Sequence, residues 1–438
     1  MCRSHLRSIK TTVKPELVFL QICLGLFVFS LFFWGSNLVV PDGFSRFVEN
    51  GKTSLDISNA ILIALYQLPE GLWIPIQVLA FIGTTVMIGL ITQEILGRYL
   101  VSATVVAVVT PNLFLWTASE TGESILLLFC SLGMFSLLKY VKRGGSKFGI
   151  LASLFFGLAL LTRGTLLVWP FVGYVSLLIV YVFLRPVKPR VALVSAGIPF
   201  AVGAMVIAGV LTLNVIQTGK PHWSGEGGEH LAFWIYPCLA KKIGCGTRDL
   251  DSLARVKRDV TKKMASSESA DEQQALSRQE VLKQIAYERI FELEVDRIAV
   301  SATLSFVRQI IYTPVRNWLG RLGVPQGSII NFVLEKNAGV GYWFQAVIAI
   351  TFVEFVNVFL RLIQFIGLVA LFRDPSSRAI SVIIVGYAVA ALATGIAIGN
   401  PRYRVATEIV SIPLLFVGAP IVFSYIRNRW FRMRSGLG

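Results

Sequence analysis

The chain has 438 residues, of which 55% are hydrophobic and only 15% are charged. Soluble globular domains usually carry roughly 25% charged residues, so this composition excludes a soluble globular protein and indicates an all-α polytopic membrane protein. The net charge of +16 could indicate a nucleic-acid partner, but the distribution of the basic residues gives it another explanation.

Ten apolar segments predict a bundle of about ten transmembrane helices, since one span needs about 20 largely apolar residues. No small-residue cleavage site follows the first segment, which indicates a retained helix rather than a removed signal peptide. The eighth segment is longer than a span needs and is expected to tilt or protrude. The predicted spans are residues 17–34, 72–92, 99–116, 124–138, 148–162, 165–184, 191–213, 343–372, 379–398 and 409–426.

Basic residues cluster in alternate connections between these spans, at 3–14, 139–147, 185–190, 373–378 and 427–434. Short cytoplasmic loops carry such an excess of Lys and Arg, so both termini are predicted to be cytoplasmic. The positive charge then reflects topology and attraction to anionic headgroups. No nucleic-acid partner is needed to explain it.

A long polar region separates spans seven and eight and is predicted to be extracytoplasmic. It contains a charged helical stretch near residues 277–311. The chain is therefore divided into an N-terminal transmembrane module at 1–213, an extracytoplasmic loop with amphipathic helices at 214–342, and a C-terminal transmembrane module at 343–438.

Ionisable residues from separate loops and helix ends fall on the predicted extracytoplasmic side: Asp42, Glu123, Arg163, Arg402 and Arg404. Ionisable groups at membrane depth usually mark function, so we expect them to form one site. The alternative is that each of these residues pairs with another outer charge for stability alone.

The segment 399–408 contains Arg402, Tyr403 and Arg404 between two apolar runs. Two guanidinium groups beside a tyrosine suit an anion such as phosphate, which Arg binds through paired hydrogen bonds. The alternative is that both arginines extend to the headgroups and anchor a loop.

Two short motifs carry a resemblance to a known family. Residues 156–170 read FGLALLTRGTLLVWP and contain Arg163, and residues 400–404 read NPRYR. They resemble the Thr-Arg segment and the Pro-Arg-Tyr motif before the last span of the GT-C membrane glycosyltransferases, in the bacterial branch akin to protein O-mannosyltransferases and the lipid A aminoarabinose transferase.

Weaker similarities cover further parts of the chain. The segment 117–128 resembles a Thr-Glu-Thr-Leu motif and selects Glu123 over Glu120, and Pro41-Asp42 resembles a first-loop aspartate. The Gly-rich stretch containing His230 is similar to the opening of the long outer loop. The chain departs from the family where Gly164 replaces a proline and where Asp42 is followed by Gly43 instead of an acid.

The resemblance implies an inverting transfer of a sugar from a polyprenyl-phosphate donor to a lipid, glycan or protein acceptor on the extracytoplasmic face. A water-facing carboxylate can act as general base, and the resemblance favours Asp42 first and Glu123 second, although either could instead hold an arginine in place. The residues Arg163, Arg402, Tyr403, Arg404 and His230 are expected to bind substrate. Fixed guanidinium groups can stabilise the leaving phosphate without a metal, so no cofactor is expected.

Other polar residues of the outer loop leave alternatives open. His222, Glu226, Glu229 and His230 could bind a divalent ion, but their spacing fits no structural zinc pattern, which favours a loop that contacts substrate or is solvated.

Two further expectations concern cysteines and charged residues. Cys238 and Cys245 either form a disulfide, which an extracytoplasmic compartment permits, or remain reduced. Glu354 and Arg361 share one helical face and are expected to contact each other or a neighbouring helix within the membrane.

Two other functions remain open from the sequence. A lipid-linked polysaccharide polymerase or ligase would also have many spans and outer arginines. A transporter or flippase is less favoured, because transporters often contain internal repeats and we find none here. The short N-terminus and the absence of retention signals favour a bacterial inner (plasma) membrane as the expected location.

Overall fold

The structure is a computed structural model that describes residues 61, 70–110, 113, 123–163, 166–219, 231–240, 250–265, 271–311, 340–393 and 405–434. Within these residues the protein is 91% helical and contains no strands. The predicted all-α class is therefore confirmed for the part of the chain that is described.

The N-terminal module begins with helices that pack side by side. Each apolar run forms a helix because its backbone polar groups must be paired internally in a membrane. The turn between α3 and α4 uses Gly144 and Gly145, with φ angles of 69° and 89°, which L side chains rarely adopt. The helices are α1 (Glu70–Leu96), α2 (Leu100–Val109), α3 (Glu123–Arg143) and α4 (Ser146–Thr162).

The module continues with helices whose starts are marked by proline. Pro170 and Pro189 occupy the first turns of their helices, where the missing N–H has no intrahelical partner to lose. A π-helical turn, Val180–Leu184, follows α5, and a short turn, Ile198–Phe200, joins α6 to α7. The helices are α5 (Trp169–Ile179), α6 (Pro189–Gly197) and α7 (Ala201–Thr218).

The polar region between the modules contains several helices instead of one charged stretch. A small apolar core holds α9 and α10 together through Val256, Leu282, Ile285 and Ala286, with Tyr236 from the preceding segment. A π-helical turn, Leu231–Ile235, opens the region. The helices are α8 (Tyr236–Leu239), α9 (Leu250–Ala265), α10 (Asp271–Phe291) and α11 (Val295–Ile311).

The C-terminal module contains α12 (Val340–Arg373), α13 (Arg378–Ala393) and α14 (Glu408–Arg434). Asp374 closes the turn between α12 and α13, because its carboxylate accepts hydrogen bonds from the Ser376 and Ser377 hydroxyls at 2.6 and 2.7 Å. These bonds lower the pKa of Asp374 below its usual value.

Helices α12 and α14 run parallel and touch through their backbones. A Cβ atom on Gly367 would lie against the Leu414 carbonyl oxygen and 3.0 Å from the Gly418 nitrogen, and one on Gly418 would lie against the Ile363 carbonyl oxygen. Only glycine permits so close an approach, which is a common way to pack helices in membranes.

One large apolar core joins both transmembrane modules. Helix α1 packs against α2, α3 and α14, while α13 packs against α5. Edge-to-face contacts surround Trp169, whose ring lies 5.2 Å from Tyr387 and 5.4 Å from both Phe156 and Phe200 between ring centroids. Distant segments of the chain therefore form a single bundle.

Five described helices are long and apolar enough to cross a membrane: Pro75–Leu96, Glu123–Arg143, Pro189–Ile216, Phe355–Arg373 and Val405–Asn428. Each predicted span after the first overlaps an apolar helix, but four of these helices are shorter. The first predicted span, 17–34, lies outside the described residues. A helical membrane protein is thus supported, and the count of ten spans stays a prediction.

Candidate functional site

Glu123 and Arg163, two of the predicted site residues, form an ion pair between helix ends. Glu123 is the first residue of α3, and Arg163 follows the last residue of α4 in extended conformation. Because α3 and α4 are antiparallel neighbours joined by a tight turn, these two ends meet. The Arg163 Nη1 donates to Glu123 Oε1.

The two partners differ in their access to solvent. Only 2% of the Glu123 side chain is exposed, whereas 25% of the Arg163 side chain is exposed. The amino-terminal end of α3 also places partial positive charge near the Glu123 carboxylate. Within the described residues, the Glu123 contact is the one hydrogen bond of the Arg163 side chain, so most of its five donors remain available to a ligand.

A second buried ion pair joins Arg361, in the middle of α12, to Glu408, the first residue of α14. The contact is bidentate, with Nη2 to Oε1 at 2.6 Å and Nη1 to Oε2 at 3.3 Å. Gln364 Oε1 accepts from Arg361 Nη1 at 2.8 Å, and the Ser411 hydroxyl donates to Glu408 Oε2 at 2.5 Å. The pair therefore belongs to a small polar network between two helices.

The sequence left two partners open for Arg361, and the structure selects the neighbouring helix. The side chain of Glu354 lies outside the described residues. Glu408 closes the segment 399–408 that the sequence singled out, but no role was assigned to it. One feature of the sequence could have indicated this pair: Glu408 stands at the start of one apolar run, and Arg361 lies within another.

Five of the seven predicted site residues lie outside the described part of the chain: Asp42, His230, Arg402, Tyr403 and Arg404. The structure therefore brings together Glu123 and Arg163 only. Residues 405–408, which follow the two arginines directly, are all buried. The described part of the chain therefore starts again at Val405, which is buried inside the bundle.

Metal and disulfide predictions have different outcomes. The described residues contain no group of three or more His, Cys, Asp or Glu able to hold a metal ion, and His222, Glu226 and Glu229 lie outside them. Cys238 is disulfide-bonded, and its partner lies outside the described residues because Cys130 is free. Pairing of Cys238 with Cys245 stays a prediction.

Comparison with known proteins gives no relative for this chain: no family model, curated protein or solved structure matches it. The functional argument therefore depends on the residues themselves.

Proposed function

We propose that the protein is an integral membrane glycosyltransferase that moves a sugar from a polyprenyl-phosphate donor to a lipid, glycan or protein acceptor on the extracytoplasmic face. The observation that carries this proposal is the Glu123–Arg163 pair, a partly exposed guanidinium fixed at the junction of two membrane helices by a buried carboxylate. Two arginines, Arg402 and Arg404, precede a buried helix start in the same bundle.

The proposed chemistry needs cations more than it needs a strong acid. The leaving group is a lipid phosphate, whose negative charge grows as the glycosidic bond breaks. Fixed donors aimed at developing charge in a site with little water lower the barrier strongly. Arg163, Arg402 and Arg404 would supply these donors, and the partial exposure of Arg163 leaves it accessible to such a phosphate.

The ion pair changes the preferred role of Glu123. One of its carboxylate oxygens accepts the Arg163 hydrogen bond and is therefore not directed at an acceptor hydroxyl. We assign Glu123 as a positioning residue for Arg163. Asp42 then remains the proposed general base, with Tyr403 and His230 as proposed substrate contacts.

The test is release of polyprenyl phosphate when the purified protein is incubated with polyprenyl-monophosphate sugars. Arg163→Ala should lower the rate by about 10²–10³-fold, the usual effect of losing one donor to developing charge. Arg143→Ala is the matched control, since Arg143 is an exposed arginine at the opposite end of α3 and its loss should leave the rate unchanged.

The role of Glu123 has a separate readout. Glu123→Gln should raise KM for the donor and leave the pH profile of the rate unchanged, because the variant loosens Arg163 without removing the base. Loss of the acidic limb of that profile would make Glu123 the base instead. Release of polyprenyl diphosphate from oligosaccharide donors, with no turnover of monophosphate donors, would favour a polymerase or ligase.

One observation favours transport as a second candidate. The Arg361–Glu408 pair lies within candidate spans, and paired charges inside a membrane can mark an ion or substrate pathway. Both partners also bond to neighbouring polar side chains, which fits a static contact better than a moving one. Uptake into proteoliposomes that is abolished by Arg361→Lys, in protein with an unchanged gel-filtration profile, would favour the transport function.

A further inference from the structure

Helix α11 buries polar side chains, which is unusual for an amphipathic helix of a soluble protein. Ser301, Ser305 and Gln309 follow each other at intervals of four residues, which places them on one face, and all three are 0% exposed. The Ser301 hydroxyl donates to the Cys238 carbonyl at 2.9 Å. Among the described side chains of α11, the fully buried ones are therefore all polar.

The opposite face of α11 is apolar and uncovered. Val300, Leu304 and Val307 are 52%, 38% and 41% exposed, and their spacing of four and three residues places them on one side of the helix. Asp296 and Thr303 are exposed polar residues on this side, so the described apolar surface runs from Val300 to Val307.

Exposed aromatic residues also lie at the end of α10, just before the turn to α11. Phe291 is 83% exposed and Tyr287 is half-exposed, and their ring centroids lie 6.5 Å apart. We call the three residues Val300, Leu304 and Val307 the α11 apolar face. Exposed apolar residues that share one helix face mark a binding or membrane surface.

The position of α11 in the chain selects the bilayer as the occupant. Helix α11 contacts α12, and residues Phe355–Arg373 of α12 form a candidate membrane span. The exposed side of that span is also aromatic and aliphatic, with Phe355, Leu362 and Phe365 at 69%, 57% and 62% exposure. Since α11 packs against the helix that contains this span, lipid is the apolar environment that its exposed face can reach.

We propose that the α11 apolar face inserts into the surface of the bilayer, so that α11 lies along the membrane instead of projecting into water. Interfacial helices bury their apolar face about 5–10 Å into the boundary between headgroups and acyl chains. The hydrogen bond from Ser301 to the Cys238 carbonyl then attaches the segment that contains α8 to the opposite side of α11, and α11 forms the membrane-facing side of this helical region. This inference is independent of the proposed glycosyl transfer.

The test places an environment-sensitive fluorophore at single cysteines in the full-length protein, reconstituted in nanodiscs of phosphatidylcholine and phosphatidylglycerol. The labelled variants are Val300→Cys and Leu304→Cys, and Lys257→Cys on the exposed side of α9 is the matched control. The unsubstituted chain, taken through the same labelling, gives the background from native cysteines.

The quenchers are a lipid with a doxyl group near its headgroup and iodide in water. Doxyl quenching at positions 300 and 304 should exceed that at 257 by at least about threefold, and iodide quenching should show the reverse order, as expected for a shallowly inserted helix. Equal quenching at all three positions would overturn the proposal. Shielding of positions 300 and 304 from both quenchers would also overturn it, since a protein partner or second copy would then cover the face.

Variants that fail to fold do not decide the outcome, because each label is read only in protein with an unchanged gel-filtration profile. Val307→Cys provides a further site on the same face if either of the other α11 variants is lost. Its label should be quenched by doxyl lipid more than the label at position 257, and quenching no greater than at 257 would count against insertion.

Discussion

The two buried Glu–Arg pairs have the same chemistry but different surroundings. Glu123 and Arg163 meet at adjacent helix ends, and a quarter of the arginine side chain is exposed. Arg361 lies inside a candidate span, about 18 Å along the helix axis from Arg373 at 1.5 Å per residue, and 17% of its side chain is exposed. Its guanidinium is bidentate and shares a network, whereas that of Arg163 makes one contact.

This difference separates a structural ion pair from a candidate binding pair. A bidentate contact with additional hydrogen bonds engages many of the guanidinium's donors. These bonds also compensate for the desolvation of both charges. A single contact at an accessible helix end leaves donors free for an anion. Burial alone would rank the two pairs together, and the number of engaged donors distinguishes them.

The largest expected effect on stability is that of losing one partner of the Arg361–Glu408 pair. Arg361→Leu should lower the free energy of unfolding by about 3–5 kcal/mol, because it removes the bidentate contact with the buried Glu408 carboxylate. The double variant Arg361→Leu, Glu408→Gln should recover most of this loss. The measurement is denaturant unfolding of the purified protein in detergent, with Arg373→Leu at the exposed end of the same helix as control.

A double variant as unstable as Arg361→Leu would contradict the interpretation that the remaining Glu408 charge causes the loss. In that case the network formed with Gln364 and Ser411 would itself be the stabilising element.

The Glu123–Arg163 pair should contribute less to stability than the Arg361–Glu408 pair. Arg163→Ala should lower the free energy of unfolding by about 1–3 kcal/mol, the usual penalty of an unsatisfied buried group, because water reaches this pair through the exposed part of Arg163. The same unfolding experiment gives the comparison. A loss equal to that of Arg361→Leu would indicate that both pairs are structural and would weaken the binding role of Arg163.

The exposed Arg143–Glu94 pair should contribute least to stability. Arg143 Nη2 lies 3.0 Å from Glu94 Oε2, and 58% of the Arg143 side chain is exposed. Arg143→Ala should cost at most about 1 kcal/mol. The cost should disappear at high salt, since mobile ions screen exposed charges. A salt-independent cost would show that Arg143 also contributes through packing.

The sequence predicts the helices better than it predicts the contacts between them. Apolar runs place most helices within a few residues, and the end of α4 at Thr162, directly before Arg163, follows from the pattern. Glu123 and Arg163 were both predicted on one side, with pairing as an alternative. Their meeting depends only on a short hairpin between consecutive helices, which is local information.

Contacts between distant helices depend on packing that the pattern does not contain. Arg361 meets Glu408 because α12 and α14 run parallel and approach at Gly367 and Gly418. Likewise, the apolar spacing of α11 predicts an amphipathic helix but not which face points outward, and the structure shows the polar face turned inward. The remaining predicted site residues stay predictions.

The backbone contact at Gly367 and Gly418 has a mechanical consequence. No side chains separate the backbones of α12 and α14 at these glycines. The two helices therefore lack a layer of side chains that could rearrange and let one helix slide past the other. We expect the two helices to shift together, since the Arg361–Glu408 pair joins them at a second point. Any widening of the bundle to admit a long lipid chain is then expected to come from the other helices.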